Sequence, residues 1–183
     1  VLEPGLVARR LTGPGGGDAV TVFGINDDGA YVGSANTATA VRAFAGSRSG
    51  EVRELVPLAG DNASMAYGIN GLGQAVGFSS GANGERAVVW DAAGTPSALP
   101  ALDGASGSRA HDISIRGDVA GVATVANGRR PVLWPSGQPP RALQLLPGDT
   151  TGEAVTVNAR GEAVGYTADA TGMVRDAAPW YSK

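Results

Sequence analysis

What most constrains this chain is a unit that recurs every 44 residues. Its clearest copy is Ala66-Tyr67-Gly68-Ile69-Asn70-Gly71-Leu72-Gly73-Gln74-Ala75-Val76-Gly77. The same step leads from Gly29 to Gly73, Gly117 and Gly161, and from Gly33 to Gly77, Gly121 and Gly165. A hydrophobic column (Ile25, Ile69, Ile113, Val157) and a turn column (Asn26, Asn70, Ser114, Asn158) keep the same spacing. A sequence with this period folds as an array or a propeller, because one unit cannot bury its apolar face alone and stacks on its neighbours.

Each unit reads as four short strands. Residues 64–70 alternate as a first strand, Gly71-Leu72-Gly73 turns, and residues 74–79 return as a second. The glycines at 29, 73, 117 and 161 suit a turn position with φ > 0, and Asn or Ser ahead of them is ordinary turn chemistry. Residues 85–90 form a third strand, matched by residues 129–134. Residues 96–102 form a fourth, matched by 53–58 and 141–146. Four strands separated by turn signals in about 44 residues are the span of one propeller blade.

Taken in order, residues 18–61, 62–105 and 106–149 each carry a full blade, and residues 150–183 carry strands one to three. The missing fourth strand stands at the other end of the chain. Ala8-Arg9-Arg10-Leu11 falls in register with Val52-Arg53-Glu54-Leu55. The expectation is a single all-β domain over residues 1–183, a four-bladed β-propeller of four 44-residue repeats. Residues 1–17 close its last blade beside residues 177–181, so that no strand edge is left open. The same complementary ends also allow the strand to be exchanged between chains, giving a homo-oligomer. The opening Val1-Leu2-Glu3-Pro4 has neither Met nor the charged-then-apolar run of a signal peptide, and reads as a processed or trimmed chain.

Simple alternation on the first strand places Phe23, Tyr67, His111 and Val155 on one face with the Ile/Val column. The small column of Val22, Ala66, Ala110 and Ala154, alternating with Gly24, Gly68, Asp112 and Thr156, then lies towards a narrow axis. The fourth strand carries Arg9, Arg53, Ser97 and Arg141 with prolines nearby, the usual protection of an exposed edge.

The strings Gly24-Ile25-Asn26-Asp27-Asp28-Gly29 with Val32-Gly33, Gly68-Ile69-Asn70 with Val76-Gly77, and Arg42-Ala43-Phe44 resemble the HAF-type repeat of bacterial extracellular proteins. The third and fourth copies depart from it at Asp112-Ile113-Ser114 and Thr156-Val157-Asn158, and no copy has the His of that motif. The resemblance implies an exported, propeller-like repeat protein. It implies no established activity and no catalytic residues.

Chemistry-bearing residues are sparse. There is no cysteine, so disulfides, thiolate nucleophiles and Cys-ligated zinc are excluded. The sole histidine, His111, occupies the column of Phe23 and Tyr67 and reads as a core or semi-core residue rather than a catalytic base. Asp27 and Asp28 read as solvated turn residues, and Asn26-Asp27-Asp28-Gly29 falls short of a calcium loop. Gly13-Pro14-Gly15-Gly16-Gly17 lacks the Lys-Ser/Thr ending of a phosphate loop. No cofactor and no metal site are expected. A net charge of −3 with scattered basic residues argues against nucleic acid. No apolar run approaches the ~20 residues of a membrane-spanning helix, so no membrane insertion is expected.

What is left is a face of polar loops, from which we single out Asp18, Asp61, Asn62, Asn83, Ser106, Asn127, Asp149 and Thr150 as candidate ligand-binding residues. Trp90, Trp134 and Trp180 recur near strand-three ends, where inter-blade packing competes with sugar stacking, and Gly46 leaves a gap in that column. The leading reading is a non-enzymatic extracellular or cell-surface module, interacting with other proteins or surface glycans or serving as a subunit of an assembly. The alternatives are a carbohydrate-binding, lectin-like propeller and a propeller glycoside hydrolase in which Asp112 would be essential.

Overall fold

The computed structural model describes residues 10–16, 18–172 and 174–181. Among the described residues, fifteen strands form four antiparallel sheets, each a run of consecutive strands. The first blade is β1 (Asp18–Ile25), β2 (Tyr31–Asn36), β3 (Val41–Gly46) and β4 (Val52–Leu55). The second is β5 (Asp61–Ile69), β6 (Ala75–Gly81), β7 (Gly84–Trp90) and β8 (Pro96–Ala98). The third is β9 (Ala105–Ile113), β10 (Val119–Val125), β11 (Gly128–Trp134) and β12 (Arg141–Ala142). The fourth, among the described residues, has three strands, β13 (Thr151–Val157), β14 (Ala163–Ala168) and β15 (Val174–Trp180). The fourth strand expected from residues 1–17 falls largely on residues 1–9 and 17, outside the described residues. Of its described part, Pro14–Gly16 is a 3-10 turn and Leu11 packs on Tyr31, Ala35 and Phe44.

The turn between first and second strands has the expected chemistry in every blade. The side-chain oxygen of Asn26, Asn70, Ser114 and Asn158 accepts the backbone N–H groups two and four residues on, at 2.8–3.2 Å. Gly29, Gly73, Gly117 and Gly161 sit at φ 75–85°, where a Cβ is disfavoured. The amides of Asn26 and Asn70 also donate to the carbonyls of Asn70 and Ser114 in the next blade, each at 3.0 Å. One side chain thus closes its own turn and ties two blades together.

Simple alternation fails on the first strand. Each copy has a one-residue bulge there, falling on Phe23, Tyr67, His111 and Val155, so that Ala66 and Gly68 stand opposite Gly77 and Val76. The extra residue reverses parity. The small column and the Ile/Val column therefore share one buried face: Ala66 with Ile69, Ala110 with Ile113, Ala154 with Val157. The bulged residue points the other way. The glycines of the Val-Gly column follow from this geometry, since a Cβ on Gly33, Gly77, Gly121 or Gly165 would come within 1.9–2.1 Å of a carbonyl oxygen on the bulged strand.

The core consists of the seams between blades. The first seam joins Val32, Ala43, Ala45 and Leu55 to Ala66, Ala75, Val88 and Trp90. The second joins Val76 and Ala87 to Ala110, Ile113, Val132 and Trp134. The third joins Ala120 to Ala154, Val157 and Ala163. Trp90, Trp134 and Trp180 each donate from Nε1 to a carbonyl just past the preceding blade's outer strand, that of Val56, Pro100 or Gln144, at 2.7–2.8 Å. The outer strands end earlier than the alternation suggests, because the chain turns there to meet the tryptophan. Their Arg53, Ser97 and Arg141 lie exposed on the edge.

Gly46, the gap in the tryptophan column, is filled from the neighbouring strand. A Cβ there would stand 2.2 Å from Tyr31 Cζ. Gly46→Trp should therefore cost about 3 kcal/mol by overpacking, and Tyr31→Ala about 3 kcal/mol by leaving a cavity. Urea unfolding of the double variant should recover most of the combined loss, the signature of two residues sharing one space.

Candidate inner cleft

The four bulges have a common consequence: they release one side chain per blade from the ladder and aim it between the inner strands. Phe23, Tyr67, His111 and Val155 line a cavity of about 530 Å³ together with Gly24, Gly68, Asp112, Glu153 and Thr156. Phe23 and Tyr67 meet edge to face with centroids 5.1 Å apart, and Tyr67 meets His111 in the same way at 5.8 Å. Phe23 and Val155 are exposed, and Tyr67 and His111 are half-buried. The expectation that these residues belong to the core with the Ile/Val column is corrected by the bulge, which turns them to the open side.

The electrostatics of the cleft are set by two carboxylates. Glu153, buried, is paired with Arg129 across the third seam and lies 3.7 Å from His111 Nε2. His111 Nδ1 is 3.1 Å from the carbonyl oxygen of Ala154. Asp112 accepts from its neighbour's amide, Ile113 N, at 2.9 Å, and from Val157 N at 3.0 Å and the Thr156 hydroxyl in the next blade. No cation pairs with Asp112 among the described residues. One layer out, Arg109 bonds Glu85 through two contacts of 2.6 Å and lies 4.9 Å over the ring of Phe78, which flanks Tyr67. The Glu85 hydrogen bonds hold the Arg109 guanidinium above its ordinary range, against the opposing effect of burial. Burial pushes the Tyr67 phenol up, opposed by Arg109 and reinforced by Glu85 and Glu153. Tyr166 is raised too, by burial first and Glu153 next.

The loop residues singled out in the sequence lie at one end of the blades but do not form one site. Asp18 opens β1 and pairs with Asn36. The Asp61 carboxylate is buried under Ser79 Oγ, which donates at 2.6 Å, and Arg86 Nη2 at 2.9 Å. Asp149 accepts from the Thr167 hydroxyl in the same way. The carbonyls of Asn62 and Thr150 accept from Arg42 and Arg130 of the preceding blades. Ser106 Oγ bonds the Thr124 carbonyl at 3.4 Å. Asn83 is exposed at the tip between β6 and β7. Asn127 and Thr150 share a hollow of about 390 Å³ with Arg129 and Tyr166.

Most of these polar groups are braces, and their composition could not distinguish a brace from a ligand contact. The cleft residues escaped the sequence reading because the bulge is a register property. The signal that could have found them is the Gly33 column, a glycine recurring on the second strand where the bulged first strand closes over it. Of the three tryptophans, Trp90 and Trp134 are buried in the seams and offer no stacking face, whereas Trp180 is partly exposed and lines a hollow with Arg141, Leu143 and Tyr181. Among the described residues, no group of three or more His, Asp or Glu is arranged to hold a metal ion, and no helix is long and apolar enough to cross a membrane.

No family model and no curated sequence matches the chain. Among solved structures it is similar to TolB from Acinetobacter baumannii, with 12% identity, a TM-score of 0.60, and coverage of 86% of this chain and 43% of that one. A streptogramin B lyase structure matches at 17% identity with a TM-score of 0.47, covering 84% of this chain and 53% of that one. The chain therefore spans about half the length of the structures it resembles. At such identities the likeness concerns fold alone, and with the repeated four-stranded sheets it places this protein among the β-propellers.

Proposed function

We propose that this protein is a non-enzymatic interaction module of the cell exterior, built of four 44-residue blades with the N-terminal segment as the outer strand of the last. Its binding site is the inner cleft, and its partner is a protein that inserts a basic side chain there. The observation that carries this reading is the juxtaposition of Phe23, Tyr67 and His111 with Asp112, a carboxylate without a cationic partner among the described residues. Aromatic rings next to an anion favour a cation that carries apolar carbons, such as the side chain of Lys or Arg. The competing hydrolase reading has less support, because the Asp112 oxygens are already occupied by the Ile113 and Val157 amides and the Thr156 hydroxyl. The lectin reading has less support, because two of its three tryptophans, Trp90 and Trp134, are buried.

The test is calorimetric titration with a lysine- and arginine-containing pentapeptide, an acidic pentapeptide of the same length and a panel of oligosaccharides. Saturable binding of the basic peptide alone is expected, weakened about tenfold by Tyr67→Ala or Asp112→Asn. Binding of a sugar, or basic-peptide binding that both variants leave unchanged, would refute the assignment.

A second readout is the ionisation of Tyr67. Because burial raises its pKa, Tyr67 should lose its proton above the ordinary phenol range near 10, and Tyr67→Phe should reduce the late phase of the absorbance titration by one phenol, leaving that of Tyr166. A cation seated in the cleft stabilises the phenolate, so bound basic peptide should move the step to lower pH.

A further inference from the structure

On the side where the first strand of each blade turns into the second, each of the three seams leaves a hollow between its two blades. The first, of about 470 Å³, is lined at Ala30, Ala45 and Gly73. The second, of about 630 Å³, is lined at Gln74, Val89 and Gly117, and the third, of about 310 Å³, at Asp118, Leu133 and Gly161. These are the same three repeat positions, 44 residues apart. The hollow is therefore a property of the seam, and what distinguishes one copy from another is its lining.

The third hollow concentrates positive charge. Arg116 comes from the turn between β9 and β10, Arg141 from β12, and Arg160 from the turn between β13 and β14. The same positions hold Asp28, Arg53 and Leu72 at the first seam, and Leu72, Ser97 and Arg116 at the second. A single guanidinium at each of the other seams is replaced here by three.

None of the three is neutralised. Among the described residues, Arg116, Arg141 and Arg160 form no ion pair, and their side chains make one hydrogen bond, from Arg141 to the amide oxygen of Gln138. Asp118, the carboxylate that lines the hollow, is engaged by the Ser114 hydroxyl at 3.2 Å and the Ser136 amide at 3.0 Å. The turns that carry two of the arginines are fixed by local bonds, from the Arg116 amide to Ser114 Oγ at 3.2 Å and from the Arg160 amide to Asn158 Oδ1 at 2.8 Å. Between the charges lies an apolar floor of Leu133, Leu143 and Trp180. The Trp180 ring is held in place by its Nε1–H, which donates to the Gln144 carbonyl at 2.7 Å.

Three cations facing one carboxylate leave an excess of two positive charges, on a protein whose net charge is −3. A phosphate monoester carries about two negative charges near pH 7, and guanidinium forks match its oxygens in pairs. We propose that the third-seam hollow binds a phosphate monoester, its phosphate among Arg116, Arg141 and Arg160 and its organic part on Leu143 and Trp180. This site is separate from the inner cleft. The two share no lining residue, and they take ligands of opposite charge.

The experiment is a backbone-amide NMR titration of the full chain with phenyl phosphate, phenyl sulfate and inorganic phosphate. Phenyl phosphate should saturably shift the turn amides of residues 114–118 and 158–162. Phenyl sulfate, with one charge fewer, and inorganic phosphate, with no ring, should bind more weakly. Arg116→Gln and Arg160→Gln should each weaken phenyl phosphate about tenfold, the loss of one charge-assisted contact, and Arg48→Gln, at an exposed arginine outside the hollow, should not. Thermal unfolding of all three variants should match the wild type, since these side chains are exposed. An unsaturable response, shifts at other residues, equal binding of phenyl sulfate, or Arg116→Gln and Arg160→Gln no weaker than Arg48→Gln would each overturn the proposal.

Discussion

The bulge in the innermost strand is the constraint on which the rest of the structure depends. A regular strand would alternate its side chains between two faces, giving each blade one buried column and one axial column at the inner edge. The extra residue makes Ala66 and Ile69, three positions apart, bury together in the first seam. It also brings the bulged strand so close to the second that Gly77 can carry no side chain, with the Met65 carbonyl in the space its Cβ would take. Packing of blades, the glycine column and the placing of Phe23, Tyr67, His111 and Val155 in the cleft are thus one local event repeated four times. The cleft is a by-product of how the blades stack.

Much of this architecture could be read from the chain because its repeat period is constant and its turns use local chemistry. Asn70, Gly73 and their counterparts need no tertiary information: a side chain that bonds its own backbone and a φ that suits glycine are set within five residues. Other features depended on residues far apart in sequence. Gly46 looked like a missing tryptophan until Tyr31, opposite it on the paired strand, was seen to fill its place. Asp61 and Asp149 looked like loop acids open to a ligand, whereas Ser79 and Thr167 stand over them. The parity of the first strand was misread for the same reason, since a bulge is defined by pairing and leaves no mark in the alternation itself.

The seams show that copies of a repeat need not be interchangeable. Ala43 and Ala87 donate their amides to Ser64 and Ser108 of the next blade, each at 3.0 Å. At the third seam the donor is replaced by Pro131, which has no N–H, and the acceptor position by Gly152. Both halves changed together, so neither the amide donor nor the hydroxyl acceptor is kept at this position without its counterpart. The ion pair at the seams is reversed as a unit: Glu85 with Arg109 at the second, Arg129 with Glu153 at the third. A mismatched junction of these blades would set Glu85 beside Glu153 or Arg129 beside Arg109, an unfavourable like-charge contact.

Each seam joins the trailing face of one blade to the leading face of the next, and the first and fourth blades follow the same logic. Where the internal leading faces carry Ala66, Ala75, Val88 and Trp90, the first blade carries Val22, Tyr31, Phe44 and Gly46. The bulk has been redistributed, away from the tryptophan position and towards the strand centre. Such a face fills a seam by a different arrangement of volume, and close packing makes it a poor substitute for the internal ones. A trailing face that carries Val164, Ala177 and Pro179, where an internal one carries Val32, Ala43 and Ala45, differs in turn. Distinct seams fix the order of the blades.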